Sequence, residues 1–378
     1  MKWPIVRLDA VGSIVTGGTP PTADRSNYGH EFMFVSPADL GATKYIRRST
    51  KMLSPKGFAR CRRIPSGSTL FVCIGSTIGK IGLAGEDLAT NQQINSIIPG
   101  NRVDSEYLYY AAATLSRRVQ NQAGEQAVPI VSKSRFAEFE IPLPALAEQR
   151  KIATALKNAD DLVASLERLI AKKQAIKQGM MQELLSGKTR LPGCSQPWAS
   201  RPLGELARIK TGSRNNQDKR ANGRYPFFVR SAAVERIDSY SYDCEAILIP
   251  GEGGIGSIFH YIHGKFEVHQ RVYKISDFAP DVLGRFVYHY MRQYFGRHAM
   301  ENSVKATVDS LRLPTFRNFV LQLPDVDEQG KIATVLDDAD RELEVLHARL
   351  AKARSIKQGM MQELLTGRTR LPVPEAVA

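Results

Sequence analysis

The chain contains two copies of one segment, and this duplication constrains its fold more than any other feature. Residues 148–192 and 328–372 share 27 identities over 45 positions at a constant offset of 180. The decapeptide at 176–185 (IKQGMMQELL) recurs unchanged at 356–365. Similarity at a fixed offset is typical of a structural unit that occurs more than once. The sequence therefore predicts a module that is present twice.

The segments that precede the two copies are related more weakly. At an offset of 195, five residues of the first segment recur in the second: Trp3, Leu8, Ile14, Thr16 and Gly17 correspond to Trp198, Leu203, Ile209, Thr211 and Gly212. Further along, an apolar run enters a glycine turn in both segments, and the triplet 91–93 (NQQ) stands opposite 269–271 (HQR). We therefore predict two variable domains with a common frame, each followed by one copy of the repeat.

This order predicts the domain boundaries. The variable domains should occupy 1–145 and 193–325, with helices at 146–192 and 326–372 and a short tail at 373–378. Within the variable domains, β-rich runs separated by glycine turns predict strands at 69–74, 93–98, 246–250 and 266–275. Short helices are expected at 105–120 and 280–297. The variable domains should thus have mixed α/β structure.

Each repeat has the apolar spacing of a coiled-coil helix. Apolar or small residues follow steps that alternate between four and three, beginning at Ile152 and Ile332, and no proline interrupts either pattern. Each helix should be about 40 residues long, which corresponds to about 60 Å. The residues predicted to pair the helices are Leu156, Val163, Leu166 and Ile170 of the first copy and Leu336, Leu343, Leu346 and Leu350 of the second.

Pairing of the two helices with each other is favoured over packing of each helix on its own domain, because the apolar stripe is narrow, long and present twice. Each helix must be followed by a return to its neighbouring domain, which predicts antiparallel helices about a pseudo-twofold axis, with one domain at each end. Lys173 interrupts the stripe where the second copy has Ala353, and a polar residue at such a position can set the register at some cost in stability. Gly179 and Gly359 inside the helices predict a close backbone approach or a local break.

The charge of the chain indicates a polyanionic partner. Lysine and arginine (52) exceed aspartate and glutamate (38), which gives a net charge of +14. Residues 1–145 carry 17 basic and 11 acidic side chains, and residues 193–325 carry 18 and 13. Basic clusters at 47–48, 60–63 and 214–220 could follow a phosphate backbone, although any one of them could also be a solvated face. Nucleic acid is the first candidate.

Composition also excludes several classes of protein. The four cysteines, at positions 61, 73, 194 and 244, lack the short spacing of a zinc ribbon or a redox pair, and a disulfide framework is not expected. The longest clean apolar run, 107–115, is far shorter than the roughly 20 residues that span a bilayer. Arg7 and Asp9 interrupt any signal-peptide core. The expected location is the cytoplasm.

Two glycine-rich turns match nucleotide-binding motifs only superficially. The turn at 251–256 (GEGGIG) fits G-x-G-x-x-G, but the β-branched and aromatic residues that follow it predict a strand where a dinucleotide site needs a helix. The turn at 75–80 (GSTIGK) is one residue short of a phosphate loop. His260 and His263 lie in an extended segment, which disfavours a shared metal. The pattern therefore indicates tight β-connections and a chain without catalytic motifs.

The openings of the two helices give the sequence a family resemblance. A leucine–proline pair, a glutamate–glutamine pair and a lysine–isoleucine pair precede or begin each helix, at 141–152 (IPLPALAEQRKI) and 323–332 (LPDVDEQGKI). Together with the duplicated architecture, this run resembles the DNA specificity subunit of type I restriction–modification systems. The 75–80 turn and the 91–93 triplet look like the frame of that family's target recognition domains. The second domain departs from this frame at 253–257 and 269–271.

The resemblance implies an α+β fold, in which two α/β target recognition domains are joined by two long antiparallel coiled-coil helices. It implies that each domain recognises one half of a bipartite, asymmetric DNA target, and that the helices fix the gap and bind two modification subunits. Those subunits would hold S-adenosylmethionine and methylate adenine N6, while restriction subunits would use ATP and Mg²⁺ for translocation and cleavage. The chain itself would be a non-catalytic, cofactor-free subunit of a host-defence system.

Polar residues beside the glycine turns, or in the loops before the long helices, are the predicted DNA contacts. These residues are Lys80, Gln92 and Lys133 in the first domain and Gln270, Arg271 and Lys305 in the second. Each of them could instead be an ordinary surface or frame-supporting residue. Three other functions stay open at this stage: the specificity subunit of a combined restriction–methylation enzyme, a nucleotide-binding enzyme that uses the glycine loops, and a purely structural coiled-coil adaptor.

Overall fold

The computed structural model describes residues 3–124, 129–254, 256–301 and 310–372. The chain divides into two compact units, one formed by Met1–Leu166 with Arg349–Ala378 and the other by Glu167–Ala348. Each unit therefore contains one variable domain and part of each long helix. The predicted tail at 373–378 lies outside the described residues.

The variable domain of the first unit is built on a mixed sheet of order β2-β9-β6-β7-β4 and a smaller sheet of order β5-β3-β8, with β1 and β10 forming an antiparallel pair. The strands are β1 (Ile5–Arg7), β2 (Gly12–Thr16), β3 (Tyr28–Val35), β4 (Tyr45–Ile46), β5 (Lys51–Leu53), β6 (Thr69–Val72), β7 (Ile81–Ala84), β8 (Ala89–Thr90), β9 (Ile94–Pro99) and β10 (Glu140–Pro142). The helices are α1 (Pro55–Ala59), α2 (Ser105–Ala113), α3 (Ser116–Gln122) and α4 (Lys133–Ala137).

The core of this domain lies between the larger sheet and its helices. Every residue of β6 is buried, as expected for the apolar run TLFV in the middle of a sheet. The side chain of Asp104 accepts a hydrogen bond from the backbone N–H of Tyr107 and so caps α2. Phe71 of β6 and Phe136 of α4 are fully buried in a cluster that also contains Leu156 from the first long helix. The helix therefore completes the core of the domain.

The variable domain of the second unit has a sheet of order β12-β17-β15-β16-β13-β14 and an antiparallel pair, β11 with β18. The strands are β11 (Ala199–Pro202), β12 (Arg208–Thr211), β13 (Tyr225–Phe228), β14 (Val234–Ile237), β15 (Tyr242–Pro250), β16 (His260–Val268), β17 (Val272–Ser276) and β18 (Val320–Leu323). The shorter helices are α6 (Leu203–Leu206), α7 (Gly284–Glu301) and α8 (Leu313–Arg317). Phe286 and Phe295 of α7 pack in one cluster with Leu336 of the second long helix.

The two long helices are α5 (Leu146–Leu184) and α9 (Val326–Leu364), each of 39 residues. In the first unit, Asp160 of α5 pairs with Lys357 near the end of α9. In the second unit, Lys177 near the end of α5 pairs with Asp340 of α9, and Lys173 pairs with Glu342 at 2.7 Å. The residue number falls along one helix as it rises along the other, so the paired helices are antiparallel, as predicted.

The predicted pairing residues differ in burial. Leu156 and Leu336 are fully buried, Leu166, Ile170, Leu346 and Leu350 are nearly so, and Val163 and Leu343 are half-buried. The buried stripe continues beyond the predicted apolar positions to Lys177, which lies seven residues after Ile170 and is 7% exposed. A charged residue thus occupies an interior position, and burial lowers the pKa of its ammonium group although Asp340 opposes that shift.

Two local expectations are wrong. The backbone is helical through Gly179 and Gly359, and a Cβ added at either position would meet no atom of the described residues within 4 Å. The glycines are therefore neither breaks nor sites of close backbone approach. The helices continue through them because packing elsewhere along each helix offsets the low helix propensity of glycine. The apolar run 266–275 is not one strand. It is divided between β16 and β17 by a turn in which the His269 Nδ1 accepts the backbone N–H of Arg271 at 3.0 Å.

The Lys177–Asp340 pair, in which the lysine is nearly buried and the aspartate is partly exposed, yields a stability prediction. Replacement Asp340→Ala removes the hydrogen-bonded partner of this ammonium group, and should lower the free energy of unfolding by about 1 to 3 kcal/mol. Asp338→Ala is the matched control, because Asp338 lies on the same helix in an exposed pair with Arg341, where the loss should be below about 1 kcal/mol. Urea unfolding of the full chain measures both. Equal losses would contradict the prediction, and the double variant Lys177→Met/Asp340→Leu should recover much of the stability.

Candidate nucleic-acid interface

A close backbone contact supports the 91–93 turn of the first domain. The backbone N–H groups of Gly17 and Gly18, directly after β2, donate to the carbonyls of Ile94 and Thr90 at 3.1 and 2.9 Å. A Cβ on Gly17 would lie 2.2 Å from the carbonyl oxygen of Asn91. Only glycine fits there, which explains why the same residue directly follows the corresponding strand in both domains.

The second domain repeats this contact. A Cβ on Gly212, directly after β12, would lie 2.0 Å from the carbonyl oxygen of Val268. The backbone N–H of Gly212 donates to Val272 at 3.2 Å, and that of Arg214 donates to Val268 at 3.3 Å. In both domains, therefore, a glycine after the strand holds a loop against the turn that carries the predicted contact residues.

The two predicted glutamines occupy equivalent places. Gln92 is exposed and its Oε1 accepts a hydrogen bond from the Thr19 hydroxyl at 2.7 Å. Gln270 is also exposed and its Nε2 donates to Oδ1 of Asn215 at 2.6 Å. A partner from the neighbouring loop thus holds each amide by one end and leaves part of it exposed to solvent. Neither Thr19 nor Asn215 was predicted from the sequence as a partner of these glutamines, because no motif links either residue to its glutamine.

The predicted cations lie in different settings. Lys80 is half-buried and donates to the Pro37 carbonyl at 3.4 Å, so it also supports the frame. Lys133 is exposed at the first position of α4. Arg271 is exposed and its Nη1 lies 3.0 Å from Glu252. Lys305 falls outside the described residues.

Several arginines of the basic clusters have structural partners. Arg60 contacts Asp24 at 3.1 Å, Arg63 pairs with Asp87, and Arg62 donates to the carbonyl of Thr16. In the second domain, Arg214 lies 3.3 Å from the buried carboxylate of Glu267. Part of the 60–63 cluster and part of the 214–220 cluster therefore stabilise loops, so not all of the positive charge in these two clusters is available to a ligand.

A cleft of about 460 Å³ opens beside the Arg271 turn of the second domain. It is lined by Asn216, Val229, Arg230, Ser231, Glu235, Glu252, Gly253 and His269. His269 is nearly buried, and burial together with Arg230 and Arg271 lowers the pKa of its imidazole. The ring is therefore neutral at pH 7, with Nδ1 as an acceptor and the proton on Nε2.

The glycine turns lead into strands. After the 251–256 turn comes β16, and the 75–80 turn leads directly into β7. Neither turn therefore opens a helix, which a phosphate site of the dinucleotide or phosphate-loop type requires. Among the described residues there is no group of three or more His, Cys, Asp or Glu side chains that could hold a metal ion. No helix in the described part of the chain is long and apolar enough to cross a membrane.

A buried glutamine joins the first domain to α5. Gln149 donates through Nε2 to the carbonyls of Pro144 and Arg102 at 2.8 and 3.1 Å, and its Oε1 accepts the backbone N–H of Asp104 at 2.8 Å. Three of the hydrogen bonds available to one amide are thus made to fixed backbone groups. This arrangement locks the orientation of the helix relative to the loop that precedes α2.

The adjacent glutamate joins α5 to the segment that follows α9. Glu148 receives Nε and Nη2 of Arg370 at 2.5 and 2.7 Å and the indole N–H of Trp3 at 3.2 Å. Paired donation by one guanidinium is among the strongest hydrogen-bonded ion pairs in proteins. One buried carboxylate therefore fastens together the helix, the segment after its partner and the start of the domain.

The second unit repeats both connections. Gln329 donates to the carbonyls of Pro324 and Asp281 at 2.9 and 3.0 Å and accepts the backbone N–H of Leu283 at 2.9 Å. Glu328 receives Arg190 at 2.8 and 2.7 Å and the indole of Trp198 at 3.1 Å. The same glutamate–glutamine pair occurs at the start of both repeats, and this repetition is the sequence feature that could have indicated its structural role.

The comparisons with known proteins agree with this arrangement. The family model of the type I restriction modification DNA specificity domain matches residues 1–178 and 195–353. The chain is 28% identical to the specificity subunit of the type I restriction enzyme MjaIX from Methanocaldococcus jannaschii, over 62% of this chain and 60% of that subunit. It is 20% identical to the MjaVIII specificity subunit of the same organism, over 98% of this chain and 93% of that subunit.

Solved structures share the fold. The S subunit of a type I restriction–modification system from M. genitalium superposes with a TM-score of 0.71 at 15% identity, covering 97% of this chain and 96% of that chain. A chain from a structural study of complex assembly and conformational transition of the type I system gives a TM-score of 0.59 at 19% identity, covering 97% and 98%. Because the family model matches most of the sequence, the chain belongs to the family of type I restriction–modification DNA specificity subunits.

Proposed function

We propose that the chain determines where a type I restriction–modification complex acts, by binding a bipartite, asymmetric double-stranded DNA target. The observation that carries this proposal is that the two domains share the same backbone arrangement around one turn but place different side chains on it. Gly17 and Gly212 hold equivalent turns, and Gln92 and Gln270 are presented in the same way. The side chains around them differ, so each domain would recognise its own half of the target. On this proposal residues 1–145 and 193–325 are the two target recognition domains.

The proposed DNA contacts are Lys80, Gln92 and Lys133 in the first domain and Gln270, Arg271 and Lys305 in the second. Amide side chains can pair with the edge of adenine, and arginine with guanine or phosphate. The net charge of +14 supports attraction of a phosphate backbone. Lysines at the margin of each turn would position the domain, while the exposed amides and arginines would read bases.

The paired helices are the proposed scaffold for the partner subunits. A groove of about 670 Å³ in the second unit includes Gly330, Lys331, Thr334 and Val335 of α9. In the first unit, a groove of about 340 Å³ includes Arg150, Lys151, Thr154 and Ala155 of α5, which are the same positions of the repeat. A surface that occurs twice can bind two copies of one partner. We assign these surfaces to two modification subunits of the complex.

Chemistry would reside on the partners. In this proposal the modification subunits bind S-adenosylmethionine and methylate adenine N6, and the restriction subunits use ATP and Mg²⁺. The chain contributes binding and orientation only. The alternative of a nucleotide-binding enzyme rested on the two glycine turns. Both turns lead into strands and not into the helix that such a site requires, so they no longer support this alternative.

Exchange of the second domain tests the proposal most directly. Replacing residues 193–325 with the corresponding domain of another family member should change one half of the methylated DNA motif and leave the other half unchanged. Methylation-sensitive sequencing of cells that express the assembled complex reports both halves. A change in both halves, or no dependence of any motif on this gene, would contradict the proposal.

Salt dependence tests the proposed phosphate contacts. Lys133→Ala should reduce the slope of log binding constant against log salt concentration by about 0.9, because one fewer phosphate is neutralised. Lys80→Ala should act similarly. Lys352→Ala is the control, since Lys352 is exposed on α9, outside both variable domains. Fluorescence anisotropy of the assembled complex on a target duplex measures the slope. If the slopes of all three variants equal that of the wild type, neither Lys80 nor Lys133 contacts phosphate.

A further inference from the structure

One carboxylate in the second domain holds two arginines from separate segments. Glu252, in the turn after β15, receives Nη1 of Arg230 at 3.1 Å and Nη1 of Arg271 at 3.0 Å. Arg230 follows β13, and Arg271 lies between β16 and β17. The arginine side chains are 50% and 59% exposed, whereas Glu252 is 22% exposed. The carboxylate is thus at the bottom of the group and the guanidinium heads are at its surface.

This group contributes little to holding the domain together. Exposed ion pairs add little to stability, and the core of the domain is supplied by buried apolar clusters on both faces of its sheet. The main effect of Glu252 is on the arginines themselves. Each guanidinium is fixed through one nitrogen, and no other described residue accepts from its Nε or Nη2. Two long side chains, which would otherwise be mobile, are therefore aligned before any ligand binds.

We propose that Arg230 and Arg271, aligned by Glu252, read guanine in the half of the target that the second domain binds. This inference rests on the proposed function. The remaining guanidinium donors form a fork that matches O6 and N7 of guanine in the major groove. A phosphate is the less suitable ligand, because the Glu252 carboxylate neutralises one of the two arginine charges and so weakens the attraction of the group for an anion. Base edges carry no net charge and tolerate that carboxylate.

The equivalent turn of the first domain, of which residues 74–80 and 91–93 are described, has no counterpart of this group. The turn at 75–80 (GSTIGK) contains no carboxylate, and Gln93 stands where the second domain has Arg271. Gln93 is engaged within its own turn, where it accepts from Asn91 at 2.9 Å and donates to the carbonyl of Ile74 at 3.3 Å. Arginine-based readout of guanine is therefore assigned to one half of the target only.

The test compares motifs and affinities of the assembled complex. Methylation-sensitive sequencing should show at least one invariant G·C pair in the half that changes on exchange of residues 193–325. Replacing that guanine with 7-deazaguanine, which lacks the N7 acceptor, should weaken binding of the wild type about tenfold. Arg230→Lys or Arg271→Lys should abolish this sensitivity at the pair concerned, because lysine lacks the fork. Glu252→Gln should reduce it, with the other half of the motif unchanged.

The control is Asp281→Asn, which removes the carboxylate of an exposed ion pair with Arg201 in the same domain and should leave motif and affinity unchanged. Thermal unfolding of each variant verifies that it is folded. The inference is overturned if the second half lacks an invariant G·C pair, if neither arginine variant alters 7-deazaguanine sensitivity, or if the arginine variants weaken all duplexes equally. Absence of any motif that depends on this gene would instead contradict the proposed function itself.

Discussion

The glutamate–glutamine pair at the start of each long helix is the interaction on which the rest of the structure depends. Gln149 and Gln329 bind backbone groups of the adjoining domain, while Glu148 and Glu328 bind an arginine and a tryptophan from distant parts of the chain. A buried carboxylate without such partners would be costly, so the glutamates require their arginines to remain buried. Each helix is consequently fixed to its domain and to the segment that follows its partner.

Fixing the frame in this way leaves the exposed turns free to differ. Gly17 and Gly212 set the path of the backbone by steric exclusion, which depends mainly on the position of carbonyl oxygens and, at Gly17, also on the hydroxyl of Thr90. The side chains on the supported turns can then change without loss of the fold. The first domain presents an amide held by a threonine, and the second presents an amide held by an asparagine beside a pair of arginines. A constant scaffold with variable contents is what a family of binding subunits with different targets requires.

The sequence predicted the parts of this structure that depend on periodicity and repetition. Apolar residues spaced alternately four and three positions apart predicted the long helices and their pairing, because an apolar stripe on a helix must be covered along its whole length. Local chemistry was harder. The turn at 269–271 depends on a side-chain nitrogen that accepts a backbone N–H, which an apolar run does not reveal. The alignment of Arg230, Glu252 and Arg271 joins three separate segments and exists only after folding. The prediction at Gly179 and Gly359 was wrong. Their occurrence in both repeats suggested a close backbone approach or a break in the helix, but no atom of the described residues lies near enough to either glycine to require it.

Asp160 and Asp340 show how one repeated residue can serve two dissimilar domains. Each pairs with a lysine of the opposite long helix, at equivalent positions of the repeat. The remaining contact differs: Asp160 accepts the Tyr110 hydroxyl of α2 at 2.5 Å, whereas Asp340 lies 3.0 Å from Arg292 of α7. Burial and the neighbouring Asp160 carboxylate raise the pKa of Tyr110, so its hydroxyl remains a donor at pH 7. A neutral donor therefore fulfils in one domain the role that a cation fulfils in the other. The requirement on the domain is only that it supply a donor to this carboxylate, which is why both helices can keep the same aspartate while the domains they support diverge.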